Sequence, residues 1–213
     1  AEPAVGFSFT NFERSENGAI LPATNFDLVH GLRELPARPA RGGGGRVLEG
    51  DPFALLAPLS ELPGWIQTSV YRREALAGVR PKPGPQDAED LYWQLQVYRR
   101  AGAAYIDAPL VEVRRHGGNS YTRGDAIREG VLRAVRQAAG DLPLADAERA
   151  LLRRRIGSEY RRLGYRHFWA HDAGRAARYY WHALRWPGSA GDALAHLAAL
   201  PLLPLLPRRE PAF

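Results

Sequence analysis

Two apolar runs that bracket an amphipathic helical stretch constrain this chain most. Trp65–Tyr71 (WIQTSVY) and Ala104–Val113 (AYIDAPLVEV) are rich in β-branched and aromatic residues and read as buried strands. Between them, Asp87 starts a predicted helix that runs to about Gly102, with Leu91, Leu95 and Tyr98 on one face and Trp93 and Val97 beside it. Strand, helix, strand in that order is the signature of an α/β domain. A third strand is predicted at Val5–Phe12 (VGFSFTNF), followed by a turn at Glu16-Asn17-Gly18. Residues 31–51 hold Pro36, Pro39 and the run Gly42–Gly45 and read as a mobile loop. That glycine run lacks the Lys-Ser/Thr ending of a phosphate-binding loop. Arg72–Ala77 reads as a short helix, and Pro81, Pro83, Gly84 and Pro85 as a stiff loop before Asp87.

From Asp125 onward the pattern is helical throughout. Asp146 is the expected cap of a long helix to about Ala170, and Asp172 of the next, which Pro187 and Gly188 end. An apolar helix begins near Ser189 and stops at Pro201. The predicted organisation is therefore an α/β part over 1–124 and an α-helical tail over 125–213.

Charge is also unevenly spread along the chain. Residues 1–150 hold 18 Arg+Lys against 19 Asp+Glu, whereas residues 151–213 hold 11 Arg against 4 acids. The basic tail suggests an anionic neighbour. The tail ends in an apolar stretch, Ala193–Leu206, followed by Arg208 and Arg209. That stretch is too short and too proline-interrupted for a membrane span, and is expected either to meet an anionic membrane surface or to pack on its own domain. Cysteine is absent, which excludes disulfides and thiolate chemistry. Methionine is absent even at position 1, so Ala1 is expected to be a processed or fragment start.

Two constellations carry chemistry. Glu89-Asp90 opens the central helix; a carboxylate there can act as a general base, and the positive helix end is expected to keep it ionised. The plainer account makes Asp87 the cap and Asp90 part of a capping box. Arg114-Arg115-His116 ends the last strand, where arginine offers a fork of donors to a diphosphate. The plainer account is a solvated strand end.

Taken together, Gln67–Thr122 resembles the second half of family 2 glycosyltransferases of the GT-A type. The resemblance rests on Thr68-Ser69-Val70-Tyr71-Arg72-Arg73-Glu74, the Glu89-Asp90 pair, the helix ending at Gly102, the Pro109-Leu110 step, and Arg114-x-His116 with Ser120 downstream. It implies a partial GT-A sheet over 1–124, the acceptor-side half of the domain. It also implies a transferase moving a sugar from a nucleotide sugar to the hydroxyl of a glycan or lipid-linked acceptor, with inversion. Asp90 would be the general base and Glu89 would orient the acceptor or the helix start, Arg114 and His116 would approach the donor diphosphate or its metal, and Trp65 would be a further substrate contact. A divalent metal, Mg or Mn, is implied, but its D-x-D ligand motif does not occur in this chain, so no metal ligand is assigned and the isolated chain is expected to be inactive. The Gly-Gly-Phe-Asp/Asn-Glu segment usual before the acidic pair is replaced by Val79–Pro85, and Val113 stands where an aromatic residue usually precedes Arg-x-His.

In the tail, Tyr160, Leu163-Gly164, His167, Ala176, Tyr180 and Ala183 fall at tetratricopeptide spacing, which implies one helical hairpin. The expected location is cytoplasmic, peripheral on the inner face of the cell membrane. The competing reading is a non-enzymatic binding module whose basic tail holds a protein or nucleic acid. Scattered arginines without a recognised nucleic-acid motif argue against nucleic acid.

Overall fold

The computed structural model describes residues 4–81, 88–116 and 124–208, and the chain divides into two compact units, Ala1–Arg123 and Gly124–Phe213. The first is mixed α/β. Its sheet is built on β1 (Val5–Glu16) and β6 (Gly102–Arg115), which run parallel from Val5 beside Gly102 to Glu16 beside Arg115. On the far side of β6 lies β4 (Arg46–Leu48), antiparallel to it and to β3 (Ala37–Pro39). On the other side of β1 lie β5 (Ser69–Tyr71), antiparallel over Phe7–Phe9, and β2 (Ala19–Ile20), reached through the Asn17-Gly18 turn. Both turn residues have positive φ, 53° and 81°, as a two-residue hairpin requires.

β1 forms because its alternation buries Phe7 and Phe9 on one face and leaves Ser8 and Thr10 half-buried on the other. The buried face receives the helix α3 (Glu89–Tyr98): Phe7 stacks on Tyr98 at 5.3 Å, and Leu91 and Leu95 are fully buried. Each such leucine contributes about 1.5–3 kcal/mol. Short helices α1 (Asn25–Leu28) and α2 (Pro52–Leu56) add Phe26 and Phe53 to the core.

Several expectations are corrected here. Residues 31–51 are not loop throughout; they carry the β3–β4 hairpin, whose closing glycines Gly42, Gly43 and Gly44 all have positive φ. Trp65–Tyr71 is not a buried strand. Ile66–Thr68 is a 3-10 turn, held by Thr68 Oγ1 and Ser69 Oγ donating to the Trp65 carbonyl. Only Ser69–Tyr71 is strand, and it is an edge strand with Val70 72% exposed. Hydroxyl groups that bond their own backbone compete with the sheet ladder, which explains the late start. β6 is buried only in its first half; Asp107–Leu110 lie exposed, where the register with β1 shifts. The central helix ends at Tyr98 rather than near Gly102, which already belongs to β6. The predicted Asp87 cap, the Lys82–Pro85 loop and Ser120 lie outside the described residues.

The second unit is helical: α4 (Gly124–Asp141), α5 (Asp146–Trp169), α6 (Ala173–Ala183) and α7 (Ala190–Ala199), then a 3-10 segment Leu200–Leu205. Asp172 caps α6 as expected, accepting from the Arg175 amide at 3.0 Å. Asp146 does not cap α5: the cap is Ala145, whose amide donates to the Glu148 carboxylate at 2.7 Å. α5 and α6 pack as a hairpin in which Tyr160, Leu163, Gly164, His167, Ala176, Tyr180 and Ala183 are all buried. Gly164 lies under the Tyr180 ring, where a Cβ would meet ring carbons at 2.8 Å.

Candidate active site

Asp90 is the second residue of α3, whose cap is Ala88 in the left-handed conformation at φ 62°. Asp90 is half-buried, and its charge is felt at Tyr71. Tyr71 in turn meets Trp93, on the same helix as Asp90, edge-on at 4.7 Å. Burial first, and the Glu89 charge second, push the Asp90 pKa up to about 6, against the pull of the Leu91 and Asp90 backbone amides. Desolvation therefore outweighs the stabilising helix end, although the acid stays mostly ionised at pH 7. Glu89 itself is exposed.

Trp65 sits on the loop that leads into β5. Its ring packs against Phe12 at 4.7 Å, and the Arg14 guanidinium lies over both rings, 4.9 Å from Phe12 and 5.8 Å from Trp65. Asp90 and Trp65 share one support, Gln94. From the buried face of α3, Gln94 Nε2 donates to the Gly64 carbonyl at 2.9 Å, and its Oε1 accepts from the Tyr98 hydroxyl at 2.6 Å. Gly64 rides so close to β1 that a Cβ there would meet Phe9 Cβ at 2.4 Å. The helix bearing the acid and the loop bearing the indole are thus stapled together.

Arg114 and His116 occupy a different neighbourhood, the outgoing end of β6. Arg114 is exposed, pairs in register with Ser15 and reaches Glu112 at 3.6 Å; His116 follows the strand and is exposed.

A second polar assembly, absent from the sequence reading, lies where β1 and β6 shift register. Asn11 is fully buried and has all its hydrogen-bonding groups used. Its Oδ1 accepts from the Phe12 and Phe26 amides at 2.9 and 3.0 Å, and its Nδ2 donates to Thr24 Oγ1 and Asp107 Oδ1 at 3.0 and 3.2 Å. Arg33 forks onto Asp107 at 2.7 and 3.0 Å and also holds Asp27 at 2.7 Å. Arg33, then Thr24, hold the Asp27 carboxyl down at about 2. The available signal was a lone asparagine at an inward position of an apolar strand.

Among the described residues no group of three or more His, Cys, Asp or Glu side chains could hold a metal ion. The described residues offer no ligand cluster for the metal that the resemblance implied. Among the described residues no helix is long and apolar enough to cross a membrane. Comparisons with protein-family models, with curated proteins and with solved structures each found no match.

Proposed function

We propose that the first unit serves glycosyl transfer, as the acceptor side of a family 2-like glycosyltransferase site, with Asp90 as the base that takes the proton of the attacking hydroxyl. The observation that carries this reading is Asp90, half-buried at the start of α3 with its pKa raised to about 6. A base is most effective when its pKa lies near the working pH, because it is then mostly ionised yet still basic. An ordinary surface aspartate, near 4, would be a weaker proton acceptor by about two orders of magnitude in affinity.

Trp65, backed by Phe12, offers a flat apolar surface to the C–H face of a sugar ring, and the Gln94 staple fixes it relative to Asp90. Arg114 and His116 stand apart from Asp90 at the end of β6, and a role for them in holding a donor diphosphate rests on the sequence resemblance. Inversion and a nucleotide-sugar donor rest on the sequence resemblance.

Sugar transfer from a panel of nucleotide sugars to glycan acceptors, read as nucleotide release, tests the reading on the chain and on its full genomic reading frame. Asp90→Asn keeps the side-chain shape and should lower kcat about 100-fold or more. In the wild type, kcat should fall as pH drops below about 6, where the base is protonated. Wild-type kcat in Asp90→Asn, or no transfer with any donor, overturns the proposal.

A further inference from the structure

The second unit turns an unusual surface outward. On α6 the exposed positions Arg178, Trp181 and Arg185 recur at one-turn intervals, with Trp181 59% exposed between the two arginines. α6 packs against α7 and the 3-10 segment that follows it. Along those two elements Leu194, Ala198, Leu202 and Leu205 recur on one stripe, with the three leucines 56%, 53% and 81% exposed. The stripe is rigidly seated rather than loose chain. Ala193 is fully buried on the opposite side, and His196 stacks on Tyr180 at 4.9 Å and meets Phe168 edge-on at 5.4 Å.

Two features say what covers it. From Leu197 to Pro207 every side chain is Leu, Ala or Pro, so this stretch offers a protein partner no side-chain hydrogen bond. Protein interfaces ordinarily carry about one hydrogen bond per 100–200 Å²; a bilayer's acyl boundary asks for none. The charge nearby is also of one sign. Between residues 173 and 208 the only carboxylate is Asp192, which is paired with Arg161. Arg178 and Arg185 flank Trp181 on α6, Arg208 follows the 3-10 segment, and all three are exposed.

We propose that this surface lies on an anionic membrane, with the leucine stripe and the Trp181 indole at the acyl boundary and the three arginines against lipid phosphates. A tryptophan between arginines suits that depth, because the indole is apolar with one polar edge and the guanidinium stems reach outward to the headgroups. The inference is independent of glycosyl transfer: a membrane-bound unit is compatible with many activities, and the test below reads no catalysis.

The test is flotation of the 213-residue chain with vesicles of phosphatidylcholine alone and of an equimolar mixture with phosphatidylglycerol. The chain should float with the anionic vesicles only. Leu202→Ser with Leu205→Ser should reduce partitioning about tenfold or more. Arg178→Gln and Arg185→Gln should each cost about fivefold, and high salt should weaken binding in the same direction. All four positions are exposed, so circular dichroism should show wild-type helix content in each variant. Absence of flotation, equal flotation on neutral vesicles, or full binding by the leucine variant overturns the proposal. So does a concentration-dependent dimer that the leucine variant dissolves, which identifies the surface as an interface between copies.

Discussion

Replacing Asp90 by asparagine should stabilise the first unit at neutral pH and leave it unchanged in acid. The folded protein raises the Asp90 pKa from 3.8 to about 6, so it favours the protonated form over the ionised one. A raised pKa means that the acid's contribution to stability is fully present below about 4 and is lost as pH rises through about 6. Two units correspond to a ceiling of about 3 kcal/mol. The carboxyl is half-buried, and water screens part of that cost, so about 1–2 kcal/mol is expected. Asparagine carries no charge, so it avoids this cost while keeping the shape. In a domain of this size such a gain raises Tm by roughly 5–10 °C. Thermal unfolding of wild type and Asp90→Asn at a series of pH values between about 4 and 8 provides the readout. The two curves should coincide near pH 4, separate through pH 6, and stay parallel above pH 7. A difference independent of pH refutes the reasoning, as does an Asp90→Asn protein less stable than wild type at pH 8. Either result would mean that Asp90 chiefly holds the helix start.

Two further substitutions probe the supports of the site. Gly64→Ala places a methyl 2.4 Å from Phe9 Cβ and should destabilise the first unit by about 2 kcal/mol or more, with altered Trp65 fluorescence; wild-type stability would show that the loop can move aside. Asn11→Ala leaves the buried Phe12 and Phe26 amides without their acceptor and should cost on the order of 3 kcal/mol in urea unfolding. A loss under about 1 kcal/mol would mean that water replaces the amide.

What the residues disclosed in advance follows the range of the forces involved. The Asp172 cap, the Asn17-Gly18 turn and the alternation of β1 act within a few residues, and each was legible. The hairpin of β3 and β4 was not, because its three-residue strands have little pattern of their own and are held by pairing with Ala104 and Tyr105 of β6. The Trp65–Tyr71 run misleads for the opposite reason: its composition is that of a buried strand, but only β1 pairs with its last three residues. The acidic pair was legible as a place where chemistry could occur. The burial of Asp90 was not, since desolvation depends on what the fold packs around the helix start. Gln94 and Asn11 looked like ordinary polar residues until their partners, distant in sequence, came into place.

The β1–β6 ladder also sets an order of events. Its two strands pair over their whole length across about a hundred intervening residues. Closing so long a loop before any contact rewards it is slow, and parallel pairing between distant segments places a domain among the slower folders. The second unit has no such debt, because each helix packs on one that follows closely in the chain. After dilution from denaturant the helical unit should regain its structure early, while β1 waits with Phe7, Phe9 and Phe12 uncovered until Gly102–Arg115 arrives. The interval in which three phenylalanines lie open on an unpaired strand is when this chain is most prone to aggregate.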